Sequence, residues 1–174
     1  MAVNISPLQF ELGKFVPSVE RALKAANLPG TRLEIEVTED ILLRDGEIVR
    51  TTLNALRAIG VRVAMGRFGT GLASMSQLVN FPFDTIKIDR SLIGTIDGDG
   101  KHRAIVRAIS ALGQSLGIST LAEGVETSEH LAYVRSEGCN AVQGFYYSKA
   151  RPAEELAEMF SDMLPPQIDQ RLTA

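Results

Sequence analysis

Two hydrophobic periods take turns along this chain. Short apolar runs of β character cover residues 2–5, 33–37, 61–65, 85–88, 119–122 and 141–143. Between them lie stretches whose apolar residues recur at helical spacing. Val19, Ala22, Leu23 and Ala26 predict a helix over 18–26, stopped by Pro29-Gly30. Val49, Leu53, Leu56 and Ile59 predict one over 46–59, closed by Gly60. A short helix over 74–79 stops before Pro82, and Thr38 to Asp45 reads as a loop. Ile105, Ile109, Leu112 and Leu116 form the inward stripe of the longest helix, 101–116. Thr127 is an N-cap for a helix running to Ser136 and stopped by Gly138, and Pro152 suits the first turn of a last helix carrying Leu156, Met159, Phe160 and Met163. Strand and helix thus alternate six times, which predicts an α/β fold with parallel strands. Strand starts lie about 22 to 34 residues apart, a step shared by βα barrels and doubly wound sheets. Periodicity leaves both open.

Bulk properties narrow the function more than the fold. The 174 residues, 45% hydrophobic and 22% charged, suit one globular domain, read here as 1–164 with a tail over 165–174. A formal charge of −3 gives no reason to expect a nucleic-acid partner. The single cysteine, Cys139, excludes an internal disulfide and fits a reducing compartment. No apolar run approaches the roughly 18 residues of a membrane span, and the first residues do not form a leader, so a cytoplasmic location is expected. His102 and His130 lack spaced partners, which argues against metal ligation there, and Cys139 reads as a small packed residue.

Candidate chemistry gathers at the strand ends, where parallel βα folds place it. Asn4 closes the first strand, and Glu36 and Glu39 close the second in Glu36-Val37-Thr38-Glu39. Gly66-Arg67-Phe68-Gly69-Thr70-Gly71 follows the third, Lys87-Ile88-Asp89-Arg90 closes the fourth, Glu123 and Glu126 follow the fifth, and Gln143 closes the sixth. Taken singly, each has a plain structural use. A glutamate at a strand end can be solvated or cap a helix, Lys87 and Asp89 can form rim ion pairs, and a glycine loop can be only a turn.

Taken together and in this order, these motifs resemble the EAL domain, the bacterial phosphodiesterase module for cyclic di-GMP. The resemblance implies an eight-stranded βα barrel. It makes Asn4, Glu36 and Glu123 metal ligands, and Lys87 and Gln143 the catalytic positions near the nucleophilic water. Glu123, Glu126 and Gln143 fall in the nucleotide-binding region, and Glu39 braces the loop from Phe68 to Met75. Family members use Mg²⁺ or Mn²⁺.

The resemblance also exposes two departures. Where the family carries two aspartates before Phe-Gly-Thr-Gly, this chain has Gly66 and Arg67, which removes two carboxylates and adds a cation that cannot ligate a metal. Met1 falls just before what would be the third family strand. The expected fold is therefore an incomplete TIM-type barrel of about six parallel βα units, without the first two family strands and the Glu-Ala-Leu that names the family. These losses predict a degenerate, non-catalytic module in cyclic di-GMP signalling, with no metal bound, acting by nucleotide binding or protein interaction. The competing expectation is a metal-dependent cyclic di-GMP phosphodiesterase completed by another chain or by preceding sequence. Expected partners are cyclic di-GMP and, over the open sheet edges, a second copy or another protein. Arg67 is expected to hold Glu36 and Glu123 by salt bridges where metal once did.

Overall fold

The computed structural model describes residues 1–11, 14–43, 46–69, 75–96, 98, 100–156 and 159. Each apolar run forms a strand: β1 Ala2–Asn4, β2 Glu34–Val37, β3 Arg62–Phe68, β4 Thr85–Ile88, β5 Ser119–Glu123 and β6 Ala141–Gln143. All six pair in parallel, in the order β1-β2-β3-β4-β5-β6. Helices are α1 Pro7–Glu11, α2 Phe15–Ala25, α3 Glu39–Leu42, α4 Gly46–Ala58, α5 Met75–Asn80, α6 Arg90–Ile93, α7 Gly100–Leu116 and α8 Ser128–Ser136. Consecutive parallel strands joined through helices make a curled, incomplete βα barrel, as expected, with β1 and β6 on its two edges. Among the described residues no helix is long and apolar enough to cross a membrane.

Strand alternation sorts the side chains. Ile35, Val37, Val63, Met65, Ile86 and Ile88 join Val49, Leu53 and Leu56 of α4 and Val106 and Ile109 of α7 in one buried cluster. The alternate positions carry Glu34, Glu36, Thr85 and Lys87, all buried, on the barrel's inner side. Burying apolar side chains supplies about 25 cal/mol per Å² and holds the helices on the sheet. It also fixes register, because a one-residue slip would send the acidic row into the apolar layer.

Several elements differ from expectation for physical reasons. The buried stripe of α7 runs through Val106, Ile109, Ser110 and Gly113, while Ile105 and Leu116 are each 39% exposed. Gly113 sets that rotation. A Cβ there would stand 2.5 Å from Thr120 Cγ2 and 2.9 Å from Ile118 O, so only the glycine face lets the helix lie this close to β5. A short α1 occupies the residues after Ser6, because Gln9 Oε1 accepts the Ser6 backbone N–H at 2.9 Å, half of a capping box, and Pro7 suits a first turn. Residues read as loop after β2 form α3, whose Ile41 and Leu42 are buried. β3 continues past Met65 through Gly66 and Arg67 to Phe68, with a register shift against β4 between Met65 and Phe68. Pro152 was expected in the first turn of the last helix, and helix begins one residue later, at 153. Phe160, Met163 and the tail over 165–174 lie outside the described residues.

Candidate functional site

The C-terminal ends of β2, β4 and β5 bring three of the expected residues together. Glu36 is 6% exposed and Lys87 is 2% exposed, so neither meets bulk water. The Lys87 ammonium donates to Glu36 Oε2. Its other carboxylate neighbour is Glu123 Oε1, at 3.9 Å. One layer deeper, Thr85 Oγ1 donates to Glu34 Oε2 at 2.9 Å. This second inward pair, Glu34 and Thr85, was missed by sequence reasoning. Its signal was present: Glu34-Ile35-Glu36 and Thr85-Ile86-Lys87 repeat polar side chains at period two.

Burial is the strongest influence on Glu123 and raises its pKa above the usual carboxylate range. Repulsion from Glu36 adds to that rise, and the Lys87 ammonium works against it. The three groups therefore form a clasp: one ammonium holding two carboxylates that would otherwise repel.

Gly66 lies directly on this clasp. A Cβ at that position would run into the Glu36 carboxylate, with Glu36 Cγ at 2.8 Å and Cδ at 2.9 Å. The Glu36 side chain thus occupies the space that a side chain at 66 would need. Arg67, next along the strand, has φ of 56°, a left-handed conformation that costs a non-glycine residue on the order of 1 kcal/mol. Its Nε lies 3.5 Å from Asp89 Oδ2, and the side chain is 69% exposed. The expectation that Arg67 would be the cation between Glu36 and Glu123 is corrected here: Lys87 has that seat, and Arg67 pairs with Asp89. The bulged end of β3 turns the guanidinium outward to the rim.

Asp89 does two jobs. Its Oδ1 accepts the Ser91 backbone N–H at 2.8 Å, capping α6, while Oδ2 faces Arg67. Burial pushes its pKa up, but the Ser91 hydrogen bonds and Arg67 together outweigh that, and the net shift is downward.

The remaining expected residues stand apart from the clasp. Asn4 and Gln143 are exposed on the edge strands, and Glu126 is exposed in the turn after β5. Its backbone N–H makes a long 3.5 Å contact with Nδ1 of the buried His130. Glu39 opens α3, and its Oε1 is buried without a hydrogen-bond partner among the described residues. The loop it was expected to brace lies mainly at 70–74, outside the described residues. His102 Nδ1 sits 2.9 Å from Thr95 Oγ1. Cys139 packs beside Ser110 at 3.3 Å, and burial raises its pKa.

Clefts among the described residues lie at both ends of the strands. One of about 430 Å³ opens at the strand C-termini, lined by Thr38, Glu39, Asp40, Gly66 and Arg67. A larger one of about 570 Å³, among Leu23, Leu28, Gly30 and Ile59, lies at the opposite end of the strands, away from the clasp.

A parallel βα barrel with buried, charged side chains converging at the C-terminal ends of its strands defines a TIM-like domain with its site at the barrel mouth. Residues 1–150 match the EAL domain model, and the chain belongs to the EAL domain family. It is 40% identical over 156 residues to the bifunctional diguanylate cyclase/cyclic di-GMP phosphodiesterase MucR of Pseudomonas aeruginosa, covering 90% of this chain and 23% of MucR. The solved PaMucR phosphodiesterase in complex with c-di-GMP superposes with a TM-score of 0.84 at 41% identity, covering 89% of this chain and 63% of that one. The EAL domain of Mycobacterium smegmatis DcpA gives 0.88 at 37% identity, covering 95% and 74%. Klebsiella pneumoniae BlrP1, solved with manganese and cyclic di-GMP, gives 0.79 at 35% identity, covering 85% and 38%. The chain spans about a fifth of the length of the curated relatives it matches, 19% to 23%.

Proposed function

We propose that this chain is a non-catalytic EAL module of cyclic di-GMP signalling, acting through ligand binding or protein contact. The observation that carries this reading is the seat of Glu36: its carboxylate fills the space beside Gly66, and Lys87 neutralises it from the other side. Hydrolysis by a pair of divalent ions needs several oxygen donors free to converge on them, together with an activated water. Here Glu36 is engaged by an ammonium, position 66 offers no side chain, and position 67 offers a guanidinium that is always protonated. The donor set present does not suit a two-metal centre.

The test is turnover. Purified chain, incubated with cyclic di-GMP and saturating Mn²⁺ or Mg²⁺, should leave the cyclic dinucleotide intact by chromatography. Manganese titrated against the protein and followed by electron paramagnetic resonance should show no tight site. Metal-dependent conversion to the linear dinucleotide, lost in Lys87→Ala, would overturn the reading and favour a competent phosphodiesterase.

A further inference from the structure

From the two open edges of the sheet, we infer that a second copy of this chain docks head to tail, its β1 pairing in parallel with β6. The contact stands whether or not the chain hydrolyses cyclic di-GMP. An edge strand is a template for another strand, and these two edges interlock. Ile5 N–H donates to Glu36 O, and Glu34 N–H donates to Met1 O. Alternate residues of β1 therefore face β2, which turns the backbone groups of Ala2 and Asn4 to the open side. At the other edge Gln143 O accepts the Val125 N–H, so Gln143 faces β5 and Val142 faces the open side. Laid alongside in parallel, Val142 N–H donates to the second copy's Ala2 O, and Val142 O accepts from its Asn4 N–H. The sheet then continues in one hydrogen-bonding sense from β6 into the next β1.

Side chains match in the same register. β1 reads Ala2-Val3-Asn4 and β6 reads Ala141-Val142-Gln143, so small meets small, valine meets valine and amide meets amide. Asn4 shares its side of the sheet with Glu36, and Gln143 shares the same inner side with Glu123. Both amides thus point inward, where each can donate to the other. The second copy supplies, beside Gln143, the Asn4 that a single chain holds at its far edge. Beyond Gln143 the chain is pinned over Val125: Tyr146 N–H donates to Val125 O at 3.0 Å, and a Cβ on Gly144 would stand 2.1 Å from that oxygen. The fixed turn presents Phe145, Tyr146 and Tyr147 as exposed rings, a residue class enriched at interfaces. Parallel pairing sets them beside the second copy's Leu8, exposed and four residues past Asn4. An antiparallel joint of either edge strand with its own copy would leave the rings without that leucine. Because the joint is heterologous it repeats, closing into a ring or running on as a fibre.

The experiment is disulfide trapping between two forms of the whole chain in a Cys139→Ser background, one carrying Asn4→Cys and the other Gln143→Cys. Neighbouring strands lie about 4.8 Å apart, within disulfide reach. Mild oxidation of the mixture should give a covalent pair, and neither form alone should. Light scattering of the unmodified chain over a dilution series should give masses above the 18.9 kDa of one copy at the concentrated end. Val142→Pro should return the mass to that of one copy, because it deletes the N–H offered to the second copy and none offered to β5. Its circular dichroism should match wild type; should it unfold, trapping alone decides. Val79→Lys, at an exposed position on α5 in the middle of the sheet order, should leave the mass unchanged. A single-copy mass throughout, either cysteine form cross-linking with itself, or dissociation by Val79→Lys and not by Val142→Pro would each overturn the joint. None of these outcomes touches the non-catalytic reading, which turnover alone decides.

Discussion

Replacing Lys87 with methionine removes the buried cation between Glu36 and Glu123 while keeping a long unbranched side chain in its place. Lys87 is 3% exposed at its side chain, and its partner Glu36 is 7% exposed, so the loss strands a carboxylate that water cannot reach. Breaking one side of a buried ion pair costs about 3–5 kcal/mol. The lower end applies, because the second carboxylate, Glu123, retains 21% side-chain exposure and so is still partly solvated once the ammonium is gone. About 3 kcal/mol is a large share of the 5–15 kcal/mol typical of a domain. For a chain of this size it should lower Tm by about 6–12 °C. Glu36→Gln should also destabilise, by leaving the ammonium with Glu123 alone. The double variant should cost less than the sum by about 2 kcal/mol, since neither charge is then orphaned. Acid should narrow the Lys87→Met deficit. Glu123 already has a folded pKa raised above its ordinary value of 4.5, and the ammonium is among the influences lowering it. A raised carboxylate pKa means the folded state binds more protons, so stability falls as pH climbs through that pKa and is recovered below 4.5. Chemical denaturation of the four proteins at neutral and mildly acidic pH tests all of this. A Lys87→Met loss under about 1 kcal/mol, or single effects that add within about 0.5 kcal/mol, would refute the clasp.

Gly66→Asp should destabilise the metal-free chain by about 1–3 kcal/mol through overpacking, because its Cβ meets the Glu36 carboxylate and its charge repels it; adding Glu36→Ala should recover most of that loss in thermal melts. Asp89→Asn keeps a good N-cap but removes the charge facing Arg67, so it should cost about 1 kcal/mol or less at neutral pH. Because the folded pKa of Asp89 lies below its ordinary value of 3.8, that contribution is present above 3.8 and should vanish as pH falls through the lowered value, which a pH series of unfolding midpoints reads directly.

Much of the architecture was legible because strand and helix periods are cleanly separated in this chain. Thr85–Ile88 and Ala141–Gln143 form strands over the residues their apolar pattern marked, and Thr127 caps α8 by accepting the His130 N–H. The errors have a common cause, which is that contact partners are tertiary. Nothing local says that α7 must turn Gly113, and not Ile105, toward β5; the close approach of Thr120 decides it. Lys87, Glu36 and Glu123 were identifiable as candidates from strand-end position. That Lys87 and not Arg67 would stand between the carboxylates depended on a bulge that pattern does not encode. Gly66 was read as a lost side chain, and only the packing shows the space filled by Glu36.

The sequential strand order bears on how the chain is made. Paired strand residues are 20 to 34 positions apart, from Leu121 with Ala141 to Thr85 with Ser119, and for β2 to β6 the partner on one side has already been synthesised. Every βα unit can therefore dock on a finished neighbour as it leaves the ribosome, at roughly one unit every few seconds given elongation of about 5–20 residues per second. For these six strands, closure entropy is then met in small local loops. A ribosome pausing between β4 and β5 would hold a growing sheet whose Lys87 already faces Glu36, with Glu123 still to come.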